Sequence, residues 1–273
     1  MEYLKLSEEK LLSNRLVKVE LNEYFLRVPF AHRGLHDCAG VYSKKRVENS
    51  KSAIMAAIDK GVGIELDVRL SSDEVPIVFH DEYLGRLTDC NRKLSDLTAS
   101  QLNDISLPNG ECIPTLECIL NLVCGQKPIL IELKDSDGFL GTQVGILETK
   151  VAKLLSNYKG HAAVMSFNPY SIMFFGSIMP DIPRGLVTEK FEKKNWPRVS
   201  KSYIKLLNNF YYSIPLGVSF ISHNYHHLEK KIINFHNNLG VNIFCWTVRT
   251  AAEAKNAFKL GCNITFEGFE PSI

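Results

Sequence analysis

Short apolar runs recur along the chain, and most are followed by a stretch of helical periodicity. The runs predict strands at Pro29–Gly34, Ile64–Leu70, Pro76–His80, Pro128–Lys134, Ala162–Asn168, Pro183–Thr188, Gly217–His223, Val241–Val248 and Asn263–Glu267. Apolar spacing of three and four residues predicts helices at Lys51–Lys60, Ser95–Ile105, Leu116–Val123, Thr142–Ser156, Leu228–Leu239 and Ala251–Leu260. Local punctuation agrees. Asn49 and Ser50 stand where an N-cap belongs, and Gly61, Gly240 and Gly261 stand just past helix ends.

Strands alternating with helices indicate a parallel sheet joined by crossovers. Only seven residues separate Val68 from Pro76, too few for a crossover helix, so Pro76–His80 reads as an antiparallel return. Eight strands remain, which predicts a (β/α)₈ TIM barrel. The competing doubly wound sheet would want a G-x-G-x-x-G turn after its first strand, and none is present. No linker or internal repeat divides the chain, so one domain over residues 1–273 is expected, with its motifs between about 29 and 269. Phe191–Ser213 is the weakest-patterned stretch and reads as an excursion from the barrel.

Composition narrows the setting. The chain has 273 residues, 45% hydrophobic and 23% charged, with 32 Lys+Arg against 30 Asp+Glu. That balance argues against binding nucleic acid by bulk charge. The richest apolar run, Ile172–Met179, is far short of a membrane span, which needs roughly 18 residues. The first 30 residues mix five basic with five acidic side chains and lack the apolar stretch of a signal peptide. Seven cysteines with no Cys-x-x-Cys pair predict reduced thiols in a cytoplasm rather than a disulfide framework or a zinc site.

The candidate chemistry lies in ionisable residues at the C-terminal ends of apolar strands, which is where a parallel barrel carries its active site. These are His32-Arg33-Gly34, Glu65-Leu66-Asp67-Val68, His80-Asp81 and Glu132-Leu133-Lys134. Side chains two apart share a strand face, so Glu65 and Asp67 point together, as do Glu132 and Lys134. Three converging carboxylates repel unless a hard divalent cation joins them, and oxygen-only ligation suits Mg²⁺ or Ca²⁺, with Mn²⁺ next. His32 and His80 come from different strands near the same mouth, and imidazole exchanges protons near neutral pH. With Arg33 and Lys134 they form an outfit for phosphate-ester chemistry.

Each of these signals alone also has a structural reading, as a hydrogen-bonded strand-end histidine, a solvated Glu-x-Asp face or a surface Glu–Lys pair. Their order and common position favour the site. The other histidines carry a weaker signal: His36 lies just beyond the first strand and His223 ends a strand, but a structural role is the expectation for both, and His161, His226, His227 and His236 read as loop or helix-surface residues. Glu48 precedes a helix N-terminus, where a carboxylate also suits the dipole, so both a structural and a functional role stay open for it.

Taken together, these residues resemble the glycerophosphodiester phosphodiesterase family, in its bacterial cytoplasmic form. The family pattern is His-Arg-Gly, Glu-Asn-Thr, Glu-x-Asp-Val, His-Asp and Glu-Leu-Lys. The chain has His32-Arg33-Gly34, Glu48-Asn49-Ser50, Glu65-Leu66-Asp67-Val68, His80-Asp81 and Glu132-Leu133-Lys134. Ile113-Pro114-Thr115-Leu116-Glu117 and Trp246-Thr247-Val248 are also similar to the family, and the match spans about Phe30 to Phe269.

The resemblance implies a phospholipase-C-like TIM barrel that hydrolyses glycerophosphodiesters to sn-glycerol 3-phosphate and an alcohol, within lipid and glycerol metabolism. It implies His32 and His80 as the acid/base pair and Glu65, Asp67 and Glu132 as ligands of one divalent cation. Arg33 and Lys134 would hold the phosphate, with Glu48 and Trp246 as supporting residues. The partner it implies is a small-molecule diester, with no nucleic acid and no integral membrane segment. The route is either direct attack by water or attack by a substrate hydroxyl through a cyclic phosphate.

Three departures bear on substrate choice: a longer, basic link containing Lys44, Lys45 and Arg46, Ser50 in place of Thr, and Glu267 where the family ends in Thr-Asp. Two alternatives remain beside this reading. One is a phospholipase D-like enzyme acting on lysophospholipids, hinted at by Phe210-Tyr211-Tyr212 and Ile214. The other is a phosphate-ligand-binding barrel without turnover.

Overall fold

A computed structural model of the chain describes residues 16–37 and 45–271. Cys38, Lys44 and the first half of the N-terminal segment lie outside the described residues. The strands are β1 (Phe30–Ala31), β2 (Gly63–Leu70), β3 (Pro76–Val78), β4 (Ile129–Leu133), β5 (Ala162–Ser166), β6 (Arg184–Thr188), β7 (Phe220–Asn224), β8 (Asn242–Val248) and β9 (Asn263–Phe266). Parallel pairing runs from β1 through β9, β8, β7, β6, β5 and β4 to β2, and β2 pairs with β1 to close the barrel. β3 pairs antiparallel to the end of β2, with Val68 opposite Val78. The closed barrel therefore has eight strands and one antiparallel return, as the seven-residue spacing predicts.

Alternation divides the core in two. Leu66, Val68, Ile131 and Leu133 face outward into the layer between sheet and helices. Phe30, Leu130, Ala163, Met165, Val187, Phe220 and Phe244 fill the barrel interior. The rings of Phe30 and Phe220 each meet Phe244 edge-on, at 5.6 and 5.2 Å between centroids. Such rings need a hole opposite them. A Cβ on Gly63 would stand 2.6 Å from the Phe30 ring, so the residue beside that ring must be glycine.

Helix boundaries follow local chemistry. The helix Lys51–Lys60 (α2, after a short turn α1 at Tyr24–Arg27) starts where Ser50 accepts a hydrogen bond from Ala53 N and stops at Gly61, φ 87°. The expected helix Ser95–Ile105 is instead a 3₁₀ turn, Leu94–Asp96, followed by α3 (Ala99–Asn103). Thr98 and Gln101 form a reciprocal capping box there, which sets the start at Ala99. Leu116–Val123 (α4) holds as read. The helix expected from Thr142 begins only at Ile146 (α5, Ile146–Leu155), because Gly145 sits at φ 125° and its N–H is taken by Glu148 at 2.6 Å.

Two helices were not legible from periodicity. The apolar run at 172–179 belongs to α6 (Pro169–Ile178), buried nearly all round, so it shows no polar stripe. The stretch 191–213 contains α7 (Lys201–Leu207) and a 3₁₀ turn, Phe210–Ser213. The remaining helices, α8 (Lys230–Asn238) and α9 (Ala251–Lys259), fall within their expected ranges. Among the described residues no helix is long and apolar enough to cross a membrane. The six described cysteines are free.

Candidate active site

β1 is only two residues long because the chain turns sharply at its end. Arg33 adopts φ 56° and Gly34 φ 77°. A Cβ on Gly34 would lie 2.9 Å from the Ala53 backbone, so only glycine lets this turn press against α2. The turn aims the Arg33 N–H at Glu65 Oε2, 2.8 Å away. Asn49, also left-handed at φ 59°, donates its side-chain amide to Asp67 Oδ2 at 2.9 Å.

The residues expected from sequence meet in one cavity of about 60 Å³ at the C-terminal mouth of the barrel. His32, Arg33, Glu65, Asp67, His80, Glu132, Lys134 and Trp246 all line it. Glu48 stands behind them and accepts from Arg33 Nη1 at 2.7 Å. Trp246 packs edge-on against Phe167 at 5.6 Å and donates its indole N–H to Ser222 O. A second cavity, about 800 Å³, lies between the loops after β2, β3, β4 and β5, and Lys134 is common to both walls.

Both histidines are held in the same way. His32 Nδ1 lies 2.7 Å from Glu267 Oε2, and His80 Nδ1 lies 2.7 Å from Asp81 Oδ1. Neither Nε2 has a partner among the described residues. Burial lowers the pKa of His32 and outweighs the hydrogen bond that its Nδ1–H donates to Glu267, so the ring is neutral at pH 7. The bond to His32 draws Glu267 down to about 2. Burial works against the Asp81 carboxylate, but hydrogen bonds from His80 and Arg86 overcome it and hold the group ionised.

The donor atoms of Glu65, Asp67 and Glu132 all lie within 4.8 Å of one another, and the three residues are buried. Desolvation first, then the charges of Asp67 and Glu132, push Glu65 well above the ordinary carboxylate range. Desolvation also opposes charge on Asp67, but Lys134, His80 and Arg33 prevail and hold it well below that range. Lys134 Nζ stands 2.6 Å from Glu132 Oε1 and 3.0 Å from Asp67 Oδ1, which itself has no hydrogen bond. One lysine and one arginine thus face three buried carboxylates. The donor set, all oxygen and under-compensated in charge, fits a hard divalent cation.

Sequence reasoning missed part of the support. Glu267 and Asp81 were legible only as motif neighbours. Arg86, which bonds both Glu48 and Asp81, had no signal at all. Three readings of other residues are corrected or confined. His236 is not a helix-surface residue but fully buried, its Nδ1 on Ile232 O, under the ring of Phe210. His223 is buried on Thr188 Oγ1 at 2.8 Å and does not line the small cavity. Of Phe210-Tyr211-Tyr212, Tyr212 is buried and Phe210 packs on His223 and His236, while Tyr211 is 63% exposed beside Phe235, so only two of the three aromatics belong to the core.

Residues 32–266 match the model of the glycerophosphoryl diester phosphodiesterase family. YhdW of Bacillus subtilis is 30% identical over 241 residues, which cover 85% of this chain and 90% of that protein. A glycerophosphodiester phosphodiesterase of Caldanaerobacter subterraneus subsp. tengcongensis is 27% identical over 241 residues, covering 85% of this chain and 89% of its own. Among solved structures, an Oleispira antarctica phosphodiesterase in complex with the product sn-glycerol-3-phosphate superposes with a TM-score of 0.71 at 19% identity, covering 89% of this chain and 94% of its own. A glycerophosphodiester phosphodiesterase of Thermotoga maritima superposes with a TM-score of 0.64 at 25% identity, covering 88% and 94%.

Proposed function

The chain belongs to the glycerophosphoryl diester phosphodiesterase family of phosphoric diester hydrolases, and from that premise we propose how its own residues cleave the ester. The observation that carries the reading is one cavity where two carboxylate-held imidazoles, three buried carboxylates, Arg33 and Lys134 converge.

His32 is the base. Its desolvated ring is neutral, and with Nδ1 on Glu267 the free Nε2 accepts the proton of the attacking oxygen. Glu267 then steadies the imidazolium that forms. His80 is the acid that protonates the leaving alcohol. Its ring lines the small cavity, and its backbone carbonyl accepts a hydrogen bond at 2.7 Å from Arg69, which lines the larger cavity next to it. The larger cavity gives the departing alcohol room.

Arg33 offers its Nε, which has no hydrogen bond, to a phosphoryl oxygen, and Lys134 offers a second positive charge. Glu65, Asp67 and Glu132 would hold the divalent cation, Mg²⁺, Ca²⁺ or Mn²⁺. When bound, the cation would supply electrostatic stabilisation of the negative charge on the phosphoryl oxygens. The products are sn-glycerol 3-phosphate and an alcohol.

The test is a coupled assay for sn-glycerol 3-phosphate released from glycerophosphocholine, glycerophosphoethanolamine and glycerophosphoglycerol, with and without EDTA. Release that EDTA stops supports the reading. No release from any diester overturns it.

A further inference from the structure

Six buried side-chain polar atoms among the described residues lack a hydrogen-bond partner, and four of them belong to residues lining the small cavity. Two are explained above, Arg33 Nε and Asp67 Oδ1. The other two are the hydroxyls of Ser222 and Thr265, residues only 1% exposed. From these we infer that Ser222 and Thr265 form a hydroxyl-binding floor that receives the glycerol arm of the substrate. The inference rests on the reading that this cavity cleaves glycerophosphodiesters.

Both side chains point inward by strand parity. Ser222 lies two residues past Phe220, whose ring fills the barrel interior, and Thr265 lies in register with Phe30, which does the same. The hydroxyls therefore face the barrel interior beside the aromatic plug, Thr265 paired in register with Phe30 and Ser222 with Phe244. Around them the cavity wall is apolar, from Met165, Phe167, Val187 and Trp246. Among the described residues no group makes a hydrogen bond to these hydroxyls. Alanine and valine would fill the same places without leaving a buried polar atom unpaired, which is the costlier choice for stability.

The ligand chemistry follows from what a hydroxyl recognises. Ser and Thr both donate and accept, which matches another hydroxyl. A phosphoryl oxygen only accepts, and Arg33 and Lys134 are the donors in the same cavity that suit it. An arm of short carbon chain bearing hydroxyls satisfies the apolar wall and the polar floor together, and glycerol is such an arm. The alcohol arm is then left to the larger cavity beyond Lys134.

The experiment measures binding, so it does not depend on the chemical route. Titration calorimetry compares sn-glycerol 3-phosphate with propyl phosphate, which has the same charge and carbon chain but no free hydroxyl. For Ser222→Ala and Thr265→Val the affinity for sn-glycerol 3-phosphate is expected to fall about tenfold or more, with that for propyl phosphate unchanged. Thr265→Val is expected to melt at the same temperature as the parent or higher, and Thr265→Ser to keep the parent's affinity. Equal losses for both phosphates, no loss for either, or a Thr265→Val protein that melts clearly lower would each overturn the inference. Release of sn-glycerol 3-phosphate by the parent protein reports separately on the proposed activity.

Discussion

Arg86 and Glu48 meet side to side, with Nη1 and Nη2 of the guanidinium donating to Oε2 and Oε1 of the carboxylate at 2.8 and 2.6 Å. The remaining Arg86 Nε donates to Asp81 Oδ2. Glu48 also holds Arg33, and Asp81 also holds His80. One exposed arginine therefore ties the Arg33 arm after β1 to the His80 arm after β3. Lysine cannot reproduce this, because its single ammonium lacks the planar fork.

Arg86→Lys should accordingly lower kcat by about 10- to 100-fold, the order expected for a small misplacement of catalytic groups, with little change in KM or melting temperature. Added guanidinium should recover part of the lost rate in Arg86→Ala. Steady-state kinetics check both, and an Arg86→Lys enzyme with parental kcat would confine Arg86 to a surface ion pair.

The carboxylate cluster predicts that activity depends on a divalent cation. Glu65→Gln keeps an acceptor for the Arg33 N–H but removes one of three repelling charges. Without cation it should be at least as stable as the parent, while its calorimetric affinity for Mg²⁺ or Ca²⁺ falls steeply. Unchanged cation affinity would place the ion elsewhere.

The two imidazoles should separate by leaving group. His32→Ala and His80→Ala should each cut kcat by about 10²–10⁴-fold on glycerophosphodiesters. A p-nitrophenyl ester needs no proton on departure, so it should restore His80→Ala and not His32→Ala. Rescue of the opposite variant would exchange the assigned roles.

Acid stability should carry the mark of His223. Burial lowers its pKa from the ordinary 6.5 to about 4. Above pH 6.5 the ring is neutral in both folded and unfolded chains and contributes nothing. Below it the unfolded chain binds a proton that the folded protein resists, so stability falls with pH until about 4. The loss is about 3 kcal/mol, and it should be absent from His223→Gln. Urea unfolding of both proteins between pH 7 and 4 measures the difference, and parallel curves would contradict it.

What the sequence by itself determined is what acts over a few residues. Alternation placed Glu65 with Asp67 and Glu132 with Lys134 on the inner face. A seven-residue gap required the antiparallel return, and Ser50 and Gly61 bounded α2. These depend on backbone geometry and neighbouring caps, which are written locally. Only the tertiary structure decided the partners across the barrel. Glu267 reaches His32 across 235 residues and Arg86 reaches Glu48 across 38, once β1 has closed on both β9 and β2. The same closure buried His236 beneath Phe210 and left the hydroxyls of Ser222 and Thr265 unpaired beside the aromatic plug. Pairing and burial of this kind depend on which strands become neighbours, and no local pattern encodes that distance.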